Sequence, residues 1–254
     1  MALFTDGPPA GVEDLAAHDS QLLEVASGEG IDVARKISLA QQELELQLNQ
    51  ALHRLMGAEQ PFWANPDPGV ANVVITPPLT LWHIYRSLEM VYRDAYNSQL
   101  NDRYAGKRDE FHRLAKQSYE QLMESGVGMV WEPVPQAATP LVAAAPGALP
   151  DGTYYITMSW INAGGEEGAS AVPAVIAISQ STIEVQPLAP PARAAGWNVY
   201  IGQAPESMVL QNAGAIAAAE VWRQPAMLAS AGRLAGTGQA PNYWKPVPRL
   251  IQRG

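Results

Sequence analysis

Cysteine is absent from the 254 residues. That excludes disulfides, thiolate metal sites and a cysteine nucleophile, and it fits synthesis in a reducing compartment such as a bacterial cytosol. Histidine is scarce. His18, His53, His83 and His112 are the full set, and none has a second histidine or a carboxylate at the spacing of a zinc-binding helix. His53 and His83 sit among apolar residues of helical stretches, so packing or solvation is preferred to ligation as their role. No run approaches the roughly 18 apolar residues of a membrane span. The N-terminus Met1–Gly11 lacks the basic region and apolar run of a signal peptide. The G-x-S-x-G elbow and the phosphate-binding G-x-x-x-x-G-K-[ST] loop are both missing. Tyr104-Ala-Gly-Lys107 holds a Gly-Lys pair without the other loop residues and reads as a helix junction. Glu166 and Glu167 are adjacent carboxylates in a glycine-flanked turn, where neighbouring side chains point apart rather than converge on a reacting atom. The expectation is a chain with no catalytic residue, no metal and no cofactor.

What is present is enough apolar sequence for a real core. Apolar residues outnumber charged ones 47 % to 16 %, which argues against disorder of the whole chain. The net charge of −9 is uneven. Residues 1–137 carry 10 Lys+Arg against 19 Asp+Glu, residues 138–240 carry 3 against 6, and residues 241–254 carry Lys245, Arg249 and Arg253 with no acid. An acidic bulk disfavours tight nucleic-acid binding, which needs clustered cations. A short basic tail on an acidic body reads either as a docking arm or as a solvated terminus.

The first half reads as helices. Val12 to Ala26 holds one or two short ones, interrupted at Gly28 and Gly30. Asp32 is a good N-cap for a long helix to Met56, whose apolar positions Val33, Ile37, Ala40, Leu44, Leu48, Leu52 and Leu55 keep a helical period; Gly57 supplies its stop. Residues 58–75 form a proline-containing loop, with Val73-Val74-Ile75 too short to classify. Thr76 then caps, and Pro77 opens, a second long helix with the stripe Leu81, Tyr85, Leu88, Tyr92, Ala95 and Tyr96. A third runs from about Tyr104 to Glu124 with Phe111, Leu114, Ala115, Ser118 and Leu122 inward, and ends at Gly126. Three substantial helices suggest a small bundle.

The grammar changes at Pro133. Residues 133–150 are rich in Pro and Ala, as linkers often are, with room for a first strand. Short alternating runs follow at Thr153–Ile161, Ala171–Ile178, Thr182–Val185, Trp197–Ile201 and Glu206–Gln211. Runs at this spacing predict a β-sandwich with Trp160 and Trp197 in its core. The expected organisation is therefore multidomain α and β: a helical bundle over 1–132, the Pro/Ala-rich stretch 133–150, an immunoglobulin-like β-sandwich over 151–240, and an extended arm over 241–254. Pro241, Pro246 and Pro248 bar the arm from a central strand. Its Tyr243, Trp244, Lys245, Arg249, Leu250, Ile251 and Arg253 form the candidate docking set, aromatic and aliphatic groups that need cover beside cations that suit an acidic neighbour.

Two stretches resemble known families. Leu81-Trp-His-Ile-Tyr85, Val91-Tyr-Arg-Asp-Ala-Tyr-Asn-Ser-Gln-Leu-Asn-Asp-Arg-Tyr104-Ala-Gly-Lys107 and Leu114-Ala-Lys116 resemble the head–tail connector (adaptor, neck) proteins of tailed bacteriophages. Gly152-Thr-Tyr-Tyr-Ile156, Trp160-Ile-Asn-Ala163 and Gly196-Trp-Asn-Val-Tyr-Ile-Gly202 resemble the immunoglobulin-like or fibronectin-like domains of phage tail and neck proteins. The resemblance covers about two thirds of the chain and leaves out the first 30 residues and the arm. It implies a ring of the chain itself, commonly of twelve subunits, set beneath the portal protein. Its other partners would be a tail-side neck or tail-terminator protein and the genomic DNA passing through. No membrane is involved, and the place of action would be the virion, assembled in the host cytoplasm.

Three functions follow as expectations. The first is that neck protein. The second is a tail- or fibre-associated module whose sandwich binds a host glycan, with Trp160, Trp197 and Trp222 as stacking platforms; exposed tryptophans would favour it and buried ones would not. The third, a cell-wall hydrolase, needs a carboxylate pair or metal cluster that the sequence does not display.

Overall fold

The computed structural model describes residues 1–56, 69–99, 102–225 and 227–245. Five helices come first: α1 (Val12–His18), α2 (Leu22–Glu29), α3 (Val33–Met56), α4 (Pro77–Gln99) and α5 (Ala105–Ser125). Nine antiparallel strands follow: β1 (Val127–Met129), β2 (Leu141–Pro146), β3 (Gly152–Ile161), β4 (Ala174–Ile178), β5 (Ser181–Gln186), β6 (Gly196–Gly202), β7 (Val209–Leu210), β8 (Trp222–Arg223) and β9 (Asn242–Trp244). The chain divides into two compact units. One is residues 7–131 together with the C-terminal segment from Pro241; the other is residues 1–6 with 132–240.

In the helical unit, each boundary has a local cause. The Asp32 carboxylate accepts from the Arg35 amide at 3.0 Å and caps α3. Gly30 ends α2 in a left-handed conformation at φ 66°, which a residue with a Cβ rarely adopts. Pro77 occupies the first turn of α4, where no amide is needed. The Thr76 hydroxyl, expected to cap this helix, has no partner among the described residues. The expected stop at Gly57 lies outside the described residues. Helix α4 is the axis of the unit and packs against α1, α2, α3 and α5. Its buried surface is wider than the expected stripe: Leu79, Trp82, His83, Ile84, Ser87, Leu88, Met90, Val91, Tyr92 and Ala95 are all buried, because four helices pack on it, while Leu81, Tyr85 and Tyr96 of that stripe are partly buried and Arg93, Asn97 and Ser98 are exposed. Of the aromatic stripe, Tyr92 is core, and Tyr85 and Tyr96 are partly buried against it. Tyr92 packs on Phe111 at 5.4 Å and on Tyr104 at 6.2 Å between ring centroids, and its hydroxyl donates to the buried Asp19.

In the β unit, two antiparallel sheets, in the orders β2-β5-β8 and β4-β3-β6-β7, face one apolar core in a sandwich-like arrangement. Alternation supplies the core. Tyr154, Ile156, Met158 and Trp160 of β3 meet Trp197, Val199 and Ile201 of β6, with Ile183 and Val185 from β5. Trp160 and Trp197 stand opposite each other in register and are 1 % and 0 % exposed. The Trp197 indole donates to the Ala217 carbonyl at 3.1 Å.

Three features differ from the expected layout. The stretch 133–150 belongs to the β unit: Val134, Ala137 and Leu149 are buried in the sandwich core, and β2 lies within the stretch as an edge strand ending at Pro146. Glu206–Gln211 yields only the two-residue β7, since Pro205–Ser207 turns as a 3-10 helix. Residues 1–6 join the β unit, where the Asp6 carboxylate accepts from the Gln136 amide at 2.9 Å and the N-terminal ammonium donates to the Gln239 carbonyl at 2.9 Å.

The second face of the β4-β3-β6-β7 sheet is covered too. Residues 233–237 run along β7, through Leu210 N–H to Arg233 O at 2.9 Å and a bridge at Val209–Leu234, then reach the segment preceding β4 through bridge Ala169–Thr237. They tie the two sides of the sheet together over a polar layer of Thr157, Ser159, Asn198 and Tyr200, all buried.

Candidate functional site

β9 pairs with β1 in the register Val127–Trp244, Gly128–Tyr243 and Met129–Asn242. On its far side β1 is held by Val73-Val74, with Val74 N–H donating to Gly128 O at 2.9 Å. So the arm is a strand of its own chain's helical unit over 242–244, not a free segment. Val127 and Met129 need this cover because both are buried, and Pro241 is tolerated because β9 is an edge. Gly126 makes the approach possible. Its φ is 103°, and a Cβ there would stand 3.1 Å from the Trp244 carbonyl. Trp244 packs edge-to-face on Trp131 at 5.7 Å. Trp131 and Tyr243 are 54 % and 53 % exposed, and Lys245 is also exposed. Trp131 was missed by the sequence reading because nothing local distinguishes it from a loop residue. Arg249, Leu250, Ile251 and Arg253 lie outside the described residues.

A second cluster occupies a cleft of about 180 Å³ over α4, between α3 and α5. Arg86 clamps Glu43 with two nitrogens, at 2.6 Å and 3.1 Å, and reaches Glu89 at 2.5 Å. Glu89 also meets His112 Nδ1 at 3.0 Å. Burial opposes the guanidinium charge, but the two carboxylates outweigh it and hold Arg86 above its ordinary value. This bidentate ion pair locks Glu43 of α3 to Arg86 of α4, and Glu89 carries the link to His112 of α5; Arg86, Glu43 and Glu89 are thus partnered inside the fold.

The third cluster surrounds Glu167. One oxygen accepts from Ser159 at 2.5 Å, Asn198 at 2.7 Å and Tyr200 at 2.5 Å, while the other pairs with Arg233. Burial would push this carboxyl up, but the hydroxyls of Ser159 and Tyr200, the Asn198 amide and the Arg233 charge together hold it below its ordinary value. Burial and Glu167 push the Tyr200 phenol above its own. Glu166 points elsewhere, accepting from Asn162 at 2.8 Å and Gln239 at 2.9 Å. The adjacent carboxylates thus serve two structural networks and do not converge. Among the described residues no group of three His, Asp or Glu is placed to hold a metal ion.

The histidines separate by burial. His53 is exposed, and His18 and His112 make side-chain hydrogen bonds near the surface. His83 is fully buried, its Nε2–H donating to the Ile37 carbonyl at 3.1 Å while Nδ1 has no partner among the described residues. Burial holds its pKa below the usual 6.5, despite that hydrogen bond. The neutral ring is the folded form, so its contribution is full above about pH 6.5 and is lost as the pH falls through the depressed folded value. Between about pH 7.5 and pH 5.5, the helical unit is expected to lose stability in thermal melts. His83→Leu should reduce that loss; an unchanged pH dependence in the variant would show that His83 does not carry it.

The chain stands against three comparisons: family models, curated proteins and solved structures. Nothing matches. The functional reading therefore rests on the residues. No helix among the described residues is long and apolar enough to cross a membrane. Of the three tryptophans expected as sugar platforms, Trp160 and Trp197 are buried and Trp222 is half-buried at the core's margin, so these three form no exposed stacking pair.

Proposed function

We propose that this chain is a structural protein of the neck of a tailed-phage particle. In this reading it forms a ring that joins the portal to a tail-side neck or terminator protein and lets DNA pass. The observation that supports it best is the pairing, in one chain, of a helical unit organised around a single buried helix with a sandwich-like β unit, in the order the connector resemblance implies. The chain passes between the units three times, after residues 6, 131 and 240. The clustered ionisable groups hold the fold. The acidic helical half is compatible with moving DNA, since a carboxylate-rich wall repels phosphate instead of retaining it.

The reading has a direct consequence for particles. Heads packaged without this protein are expected to stay unjoined to tails, and electron micrographs should show separate full or leaking heads beside free tails. Normal tailed particles made in its absence, with the protein missing from purified virions, would contradict the assignment.

A further inference from the structure

The small sheet of the helical unit ends at β9, and the outer edge of β9 is open among the described residues. The direction of its backbone groups follows from its neighbour. Val74 N–H donates to Gly128 O and Val130 N–H to Asn72 O, both at 2.9 Å. Gly128 therefore turns its backbone groups toward Val73-Val74, and Val127 and Met129 turn theirs toward β9, because successive residues of a strand alternate. Trp244 and Asn242 stand opposite Val127 and Met129 and receive those bonds. Tyr243, opposite Gly128, is left with its N–H and C=O directed away from β1, and neither has a partner among the described residues. The side chains at this edge are aromatic and cationic. Tyr243 lies on one face of β9 and Trp244 on the other. Tyr243 is 53 % exposed, and so nearly is Trp131 at 54 %, which packs edge-to-face on Trp244. Lys245 is exposed, and residues 241–254 hold Lys245, Arg249 and Arg253 with no acid. Pro241 and Pro246 flank the strand. An edge this short and bounded by proline does not template open-ended pairing, but it has room for one short strand.

We propose that the outer edge of β9 takes an extended, acidic segment of a partner protein as an added strand. The backbone selects the form of the partner, since an extended chain meets a strand's free N–H and C=O side by side. The charge selects its sign: cations with no acid among them favour carboxylates across the contact. The aromatics select its side chains. Those of an added strand alternate between the two faces, so apolar ones meet Tyr243 on one face and Trp244 with Trp131 on the other. The contact deepens the neck reading by naming the surface through which the chain holds a neighbour, and its chemistry does not depend on ring formation.

The test uses the full chain and a fluorescein-labelled octapeptide of alternating valine and glutamate, with an octapeptide of alternating valine and lysine as control. Binding is read by fluorescence anisotropy. The glutamate peptide is expected to bind at least about tenfold more tightly than the lysine peptide. Tyr243→Pro deletes the outward N–H and spares the pairing with β1, which does not use it. Tyr243→Ala removes the ring and keeps the N–H. The proline variant is expected to bind the glutamate peptide about tenfold more weakly than the alanine variant. Thermal melting checks that each variant folds. Lys245→Glu leaves the strand's backbone as it is, and is expected to shift the preference toward the lysine peptide. A folded wild-type chain that binds neither peptide, or both equally, overturns the proposal and leaves the neck reading standing. So does a preference that Lys245→Glu leaves unchanged. Self-association abolished by Tyr243→Pro, with neither peptide bound, would make a second copy the occupant and overturn the acidic partner.

Discussion

Replacing Trp197 with alanine is expected to unfold the β unit, not merely to remove a surface contact. The indole is fully buried, faces Trp160 across β3 and β6, and donates to the Ala217 carbonyl. Truncation removes one of the two largest side chains of the core and leaves a cavity that rigid neighbouring strands cannot close. Buried Trp→Ala changes cost about 3–5 kcal/mol, against a total stability of roughly 5–15 kcal/mol for a domain. Denaturant titration of the full chain, followed through the β-sheet signal, should show a much lower midpoint for the variant. Trp222→Ala, at the half-buried margin, should cost distinctly less. A loss below about 1 kcal/mol for Trp197→Ala would mean that the tryptophan is not part of a close-packed core and would reopen the glycan-platform reading.

The second large effect is expected at Glu167. Its side chain is 11 % exposed and collects four donors from β3, β6 and the 233–237 segment. Glu167→Ala strips all four at once. Arg233 is 54 % exposed and can turn to water; Ser159, Asn198 and Tyr200 cannot. Removing one partner from such a site costs about 3–5 kcal/mol, because buried donors are left without acceptors. Glu167→Gln keeps one acceptor and should cost less.

The same site sets a pH response. A carboxyl held below its ordinary value of 4.5 contributes stability that is present above pH 4.5 and is lost as the pH falls through the folded value. Tyr200, raised above its ordinary value of 10.0, contributes stability that is present below pH 10 and is lost as the pH rises through the folded value. The wild type should therefore weaken at both extremes, and Glu167→Gln should flatten the acid side. An acid limb identical in the variant would remove Glu167 from this role.

The helices were legible because their signals are local. Asp32, Pro77 and Gly126 mark their ends within a residue or two, and periodic Leu and Ala give their inward faces. The core strands β3 and β6 were legible for the same reason, through alternation around Trp160 and Trp197. What the sequence hid depends on distant pairings. Val134 and Ala137 look like linker because proline surrounds them, yet they bury against strands from later in the chain. β1 and β9 are three residues each and become strands only through each other, across more than a hundred residues. Glu167 reads as one half of a turn dipeptide; only the fold brings Ser159, Asn198, Tyr200 and Arg233 around it. The candidate docking set was half legible in the same sense. Proline and exposed aromatics marked an extended edge segment, but nothing in Asn242-Tyr-Trp244 announces that its first partner is Val127–Met129 of the same chain.

The central claim is assembly, and the mass of the purified full chain in solution tests it most directly, alone and mixed with portal protein. The account predicts a closed oligomer whose mass is a fixed multiple of 27.3 kDa, formed either by the chain alone or on the portal. A single species at 27.3 kDa across the whole concentration range, with no co-sedimentation with portal, would contradict it.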